Sequence, residues 1–246
     1  MRVLVATPKM RGKRYPLAHD SAMDLEWPSR LDYLALVGGD DPGAPYKNIT
    51  DKYNAAREAA LGGEYDALLT LDWDMIVPPD ALTKLAGLDT DVAYGLYVMG
   101  REFPVWNAYH ELDAITGLSL SKQRAKAEEA WGRAVEVKGI GHGCTLVRRH
   151  VLEALEWRLD DRLDLCSDWW FGLDCFAKGF VQVCDTTVLC GHIRNDVVLW
   201  PDVTMWNCYR KAALPETGAY AAAFAAETLE GLEYDKGREQ VGIYIE

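Results

Sequence analysis

A chain of 246 residues, 49% hydrophobic and 26% charged, carries enough apolar mass for one sizeable core, which excludes a disulfide-stapled miniprotein and a largely disordered chain. Its 26 basic residues face 38 acidic ones, and the net charge of -12 argues against a broad nucleic-acid surface while leaving room for a local basic pocket. The opening MRVLVATP is too short for a secretory signal, no apolar run approaches the roughly 18 residues of a membrane span, and the six cysteines include no CxxC pair. Free, mostly buried thiols in a reducing, cytoplasmic setting are therefore the expectation.

In chain order, Arg2 to Ala6 reads as a buried strand ended by Thr7 and Pro8, and Leu31 to Val37 as a second strand closed by Gly38, Gly39, Asp40 and Asp41. Thr50 or Asp51 can cap an alanine-rich helix through Leu61, stopped by Gly62 and Gly63. Tyr65 to Leu71 is a third strand, Asp80 to Leu85 a short helix and Val92 to Val98 a fourth strand, an alternation that implies a sheet covered by helices on both faces. Val105 to Tyr109 is strand-like, and Ser119 to Trp131 is either a helix over the active face or a surface insertion. Cys144 to Val147 then reads as a strand, Arg148 to Trp157 and Asp168 to Lys178 as helices, and Val181 to Leu189 as a strand. Ala219 to Leu232 is a further helix and Val241 to Ile245 a last strand, so the expected division is a catalytic domain over 1–213 and an extension over 214–246 packed on it.

The sharpest chemical feature is LLTLDWDM, where Asp72 and Asp74 follow an apolar strand. In extended backbone, residues two apart point the same way, so both carboxylates can address one site. Adjacent carboxylates repel unless a cation or proton intervenes, and a hard divalent ion held there can in turn hold a diphosphate. The alternative is a pair of solvated turn aspartates. Asp168 begins a helix and is either a cap or a general base for an acceptor hydroxyl, with Trp169 and Trp170 as acceptor walls or core, and Asp174 as a second candidate. His192, in the segment Cys190, Gly191 and His192, can offer an imidazole to a metal, and the glycines of GIGHG at 139–143 permit close approach of a sugar. That segment is neither a Walker loop nor a dinucleotide fingerprint. Lys9, Arg11, Lys13 and Arg14 form the densest basic cluster, fit for an anionic ligand or for a solvated loop.

These pieces, in the order TP at 7–8, GGDD at 38–41, KYNAAREAAL at 52–61, LDWDM at 71–75, GIGHGCTLVRRHVLEAL at 139–155, SDWWFGLDCFAKGF at 167–180 and GHI at 191–193, resemble the GT-A class of nucleotide-sugar glycosyltransferases, family 2-like. The resemblance implies an α/β fold with a Rossmann-like mixed sheet flanked by helices. It implies nucleotide contacts at Thr7, Pro8 and Asp40 or Asp41, donor-pocket support from Arg57, Asp72 near the ribose or metal, and a Mn²⁺ or Mg²⁺ ion on Asp72, Asp74 and His192. Asp168 becomes the base of an inverting transfer from a nucleoside diphosphate sugar to an acceptor hydroxyl. Where the family often carries an acidic pair before the catalytic helix, this chain has Ser167 and Asp168. A metal-dependent nucleotidyltransferase and a non-catalytic sugar-nucleotide or glycan-binding module remain the other classes. The acceptor stays open, a modified nucleic acid included.

Overall fold

The computed structural model describes residues 1–9, 15–38, 41, 43–99, 104–139, 141–160, 166–195, 197–214 and 240–245, with 37–38 and 240–245 as backbone only. In chain order the elements are β1 Val3–Lys9, α1 Pro16–Met23, β2 Asp32–Gly38, α2 Pro45–Gly62, β3 Ala67–Leu71, β4 Met75–Ile76, α3 Ala81–Ala86, β5 Val92–Leu96 and β6 Val98–Met99. They continue with β7 Val105–Trp106, β8 Tyr109–Leu112, β9 Gly117–Ser119, α4 Arg124–Ala130, β10 Ala134–Glu136, β11 Cys144–Arg148, α5 Arg149–Ala154 and α6 Ser167–Ala177. β12 Gln182–Leu189, β13 Gly191–Arg194, β14 Val197–Pro201, β15 Tyr209–Ala213 and β16 Gln240–Ile245 complete the order.

Eight strands form one mixed sheet in the order β10-β12-β5-β11-β3-β1-β2-β16. β1 runs parallel to β2 and β3, β2 to β16, and β5 to β12, while β11 is antiparallel to both β3 and β5. The strand residues alternate between two apolar layers, as a sheet covered on both faces requires. Leu4, Ala6, Leu34 and Leu68 pack with Tyr53, Ala56 and Ala60 of α2, Val151 of α5 and Phe171 of α6. Val3, Val5, Tyr33 and Leu69 pack on the other side with Ala22 of α1 and Leu82 and Leu85 of α3. This is the expected α/β arrangement, a mixed sheet flanked by helices.

The orientation of β11 positions the site. Because it runs against its neighbours, its amino end lies at the sheet edge where β3 and β5 end, with Cys144 opposite Leu71. The glycine-rich 139–143 segment therefore arrives beside Asp72, and Asp72 N–H donates to the Gly143 carbonyl at 3.1 Å. A second sheet, β15-β14-β13-β4, stands on the same edge.

Several expected boundaries move. α2 starts at Pro45, not at Thr50 or Asp51, because proline at the first helical position surrenders no needed donor. Thr50 instead bonds back to the Tyr46 carbonyl and Asp51 pairs with Lys47, both inside the helix. α5 ends at Ala154 rather than Trp157. The run 105–109 is split into β7 and the start of β8 by Asn107, whose side chain accepts from Tyr97 N–H and donates to the Gly95 carbonyl. The expected helix at 219–232 lies outside the described residues, whereas β16 pairs parallel with β2. All six cysteines are free, five of them buried. Among the described residues, no helix is long and apolar enough to cross a membrane.

Candidate active site

The pairing of two short strands assembles the site. β4 follows Asp74 directly and pairs antiparallel with β13, His192 opposite Met75, and Ile193 N–H donates to the Asp74 carbonyl at 2.8 Å. That register brings Nε2 of His192 to 3.6 Å from Oδ2 of Asp74. Nδ1 of His192 lies 2.6 Å from the Val98 carbonyl, which only accepts, so Nδ1 carries a proton. In the neutral ring, Nε2 then turns a lone pair toward a carboxylate oxygen. Two acceptors facing each other are relieved by a cation or a proton between them, and the backbone bond on the far nitrogen is the usual support of a metal-binding histidine. Both side chains are nearly buried, Asp74 at 8% exposure and His192 at 4%. Arg194, two residues further along β13, sends Nη1 to within 3.8 Å of the same Asp74 oxygen.

Asp72 sits one step beyond β3 and its Oδ1 accepts from Tyr53 Oη at 2.7 Å. Burial, and next the charge of Asp74, push its carboxyl up to about 7, with Asp168 adding to the rise while the Tyr53 hydroxyl and His192 oppose it. The two carboxylates of LDWDM thus share one electrostatic environment. Trp73 between them stacks on Tyr15 with ring centroids 4.9 Å apart. Asp168 lies in the first turn of α6, but the capping position is Cys166 and no side chain caps the helix. Its charge acts on Asp72, Tyr53, Tyr97 and His142, which places it at the same end of the sheet.

His142, from the glycine-rich segment, is buried in a cage of Tyr53, Tyr94, Trp157 and Phe171 rings. Neither ring nitrogen has a hydrogen-bond partner, and burial lowers its pKa to about 4, opposed by Asp168. The flanking Gly141 has φ +92° and lies against the Tyr97 hydroxyl, so a side chain there meets both strain and collision. Thr70 Oγ1 donates to the His142 carbonyl at 2.8 Å, tying the segment to β3.

The other candidates are placed as follows. Thr7 and Pro8 end β1 opposite Ala35 and Leu36, and Thr7 Oγ1 is buried without a partner. Asp40, with Arg11, Lys13 and Arg14, lies outside the described residues. Asp41 is exposed, and its Oδ1 accepts from Gly43 N–H at 2.8 Å at the entry to α2. Arg57 directs Nε to the Leu152 and Leu155 carbonyls, where it ties α2 to the end of α5. Asp174 is gripped by Arg158 through two bonds of 2.7 and 2.9 Å. Trp169 donates Nε1 to the Asp113 carbonyl and packs edge-on against Tyr109, so the β8–β9 hairpin braces the start of α6. Among the described residues, no group of three His, Cys, Asp or Glu side chains is arranged to hold a metal ion.

Sequence reasoning missed Tyr53, Tyr97, His142 and Arg194. For Arg194 a signal existed, since residues two apart on a strand share a face and His192 was already singled out. For Tyr53 none did, because nothing local distinguishes a tyrosine that reaches a carboxylate from one that fills a core.

No family model matches the chain, and no curated protein matches it. Solved structures do. A197 from STIV superposes with a TM-score of 0.55 at 20% identity, over 82% of this chain and 91% of that one. TarS 1-349 from S. aureus gives a TM-score of 0.49 at 14% identity, over 76% of this chain and 58% of that one. The same TarS segment in complex with UDP gives 0.48 at 14% identity, with the same coverage. The chain thus spans little more than half of the TarS segment, and the likeness concerns the fold.

Proposed function

We propose that this protein transfers a sugar from a nucleoside diphosphate sugar to an acceptor hydroxyl, with inversion and with Mn²⁺ or Mg²⁺. The observation that carries this reading is the Asp74–His192 pair at the carboxyl edge of the mixed sheet, an imidazole nitrogen and a carboxylate oxygen 3.6 Å apart, with the other ring nitrogen on the Val98 carbonyl. The donor set fits a divalent ion that takes its remaining ligands from phosphate oxygens and water, as magnesium sites commonly do with only one or two protein carboxylates. Bound there, the ion supplies Lewis-acid stabilisation to the diphosphate leaving group.

The chain's own residues do the rest. Asp74 and His192 would hold the ion, with Asp72, braced by Tyr53, beside them. Thr7 and Pro8, with Asp40 and Asp41, take the nucleotide side as the family resemblance implies, whereas Arg57 is spent on the Leu152 and Leu155 carbonyls, and the unpartnered Thr7 hydroxyl is consistent with a polar ligand at the end of β1. Asp168 accepts the proton of the incoming hydroxyl on a carboxylate oxygen as the new glycosidic bond forms and the bond to the diphosphate breaks.

The test is release of nucleoside diphosphate from a panel of UDP- and GDP-sugars with Mn²⁺ and a broad acceptor panel. Turnover that falls by about a hundredfold or more in Asp168→Asn, with nucleotide binding kept, is the expected result. Absence of release from every donor by the folded protein would overturn the transferase reading, and pyrophosphate released when a nucleoside triphosphate and a sugar 1-phosphate replace the nucleotide sugar would mark nucleotidyl transfer instead.

A further inference from the structure

We infer that Arg194 is a phosphate-gripping residue that gives the site a permanent cation, so that nucleoside diphosphate binding is only partly dependent on a divalent ion. The inference rests on the nucleotide-sugar reading above and deepens it.

Arg194 ends β13 immediately before Asn195, whose φ of +55° turns the chain back into β14. His192 and Arg194 are two residues apart on one extended strand, so their side chains leave the same face, and both arrive at Asp74 Oδ2, at 3.6 and 3.8 Å. The second distance is too long for a hydrogen bond, so the guanidinium is held near the carboxylate without being satisfied by it. Its Nε is buried and has no hydrogen-bond partner, while the side chain as a whole is 40% exposed. A guanidinium has five N–H donors in a planar fork. Here Nη1 faces Asp74 beyond hydrogen-bond distance and Nε has no partner, which leaves a charged, forked donor without an acceptor. A buried N–H left unpaired is costly, and the chemistry that satisfies this fork best is a pair of anionic oxygens on one phosphate or on two adjoining phosphates.

The contrast with other arginines supports the reading. Arg158 closes its fork on Asp174, and Arg148 and Arg149 spend theirs on backbone carbonyls. Those side chains are structural ties. Arg194 stands beside the carboxylate–imidazole pair with donors to spare, and unlike a bound ion it cannot dissociate from the chain. A diphosphate placed against Asp74 and His192 therefore meets two cations of different origin, one exchangeable and one covalently fixed.

The experiment is calorimetric titration of the full chain with UDP and with GDP, once with Mn²⁺ and once with EDTA. The wild-type protein is expected to bind one of them with Mn²⁺ and to keep weaker binding in EDTA. Arg194→Met is expected to lose at least about tenfold in EDTA, and Arg194→Lys, which keeps the charge but not the fork, to fall between the two. The unfolding midpoint of each variant is measured alongside, so that lost binding is not mistaken for lost fold. Equal affinity of Arg194→Met and wild type in EDTA would overturn the inference, as would a wild-type protein that binds with Mn²⁺ and not at all without it. A wild-type protein that binds neither nucleotide in either condition removes the nucleotide-sugar reading itself, a separate failure that shows before any variant is compared.

Discussion

Nε2 of His192 and Oδ2 of Asp74 stand 3.6 Å apart because β13 pairs with the two-residue strand that follows Asp74, and the Val98 carbonyl holds the proton on the other ring nitrogen. An imidazole nitrogen and a carboxylate oxygen are thereby brought face to face in a nearly buried position. The imidazole cannot turn away without breaking its bond to the Val98 carbonyl.

Loss of either partner is expected to weaken Mn²⁺ binding. With UDP or GDP present, Asp74→Ala and His192→Ala should each lower the affinity for the ion by about tenfold or more, read from the free Mn²⁺ signal in electron paramagnetic resonance. Unchanged titrations in both variants would remove the ion from this position.

Tyr53→Phe deletes the hydroxyl that donates to Asp72 at 2.7 Å. The remaining carboxylate loses a bond to its charged form, so its carboxyl should rise further and the fold should lose about 1–2 kcal/mol in urea denaturation. A variant as stable as wild type would mean that another donor or water takes over the contact.

His142 gives a pH dependence with a defined sign. Its pKa is lowered from 6.5 to about 4 by burial, so the folded protein favours the neutral ring more than the unfolded chain does. The corresponding stability is complete above pH 6.5 and is lost as the pH falls toward 4, a change on the order of 3 kcal/mol across that window. His142→Phe keeps an aromatic ring in the cage and should lose correspondingly less over the same range. Equal losses in urea melts of the two proteins between about pH 7.5 and 4.5, which covers most of that window, would show that other groups govern the acid side.

Two glycines should respond in opposite directions to alanine. A Cβ at Gly172 would collide with the Gly139 carbonyl, a backbone atom that cannot swing aside, so Gly172→Ala should cost about 1–3 kcal/mol and displace α6, with turnover falling through Asp168 one turn earlier. Gly62, the exposed last residue of α2, has nothing within 4 Å of a Cβ, so Gly62→Ala should stabilise by about 0.5 kcal/mol. Chemical denaturation of both variants checks the pair, and a stable Gly172→Ala with full turnover would contradict the close approach.

Much of the sheet was legible because its signals are local. Apolar runs such as Val3 to Ala6 and Ala67 to Leu71 alternate between two buried faces, and glycine and proline punctuate them. The start of α2 was misplaced since Thr50 and Asp51 look like caps, whereas Pro45 begins the helix five residues earlier. The second sheet was not legible at all. Met75–Ile76 is too short to show a period, and its identity as a strand comes from a partner more than a hundred residues away.

The sequence by itself placed Asp72 and Asp74 just past the end of a buried strand, but the extended backbone expected through them is a turn, closed by Met75 N–H on the Asp72 carbonyl. It also determined the order of strands and helices that makes a covered sheet. Only the tertiary structure decided which groups meet those carboxylates: Tyr53 from α2 on Asp72, and His192 and Arg194 from β13 on Asp74. Those meetings depend on strand register and on long-range burial, and neither leaves a mark on the residues' immediate neighbours in the chain.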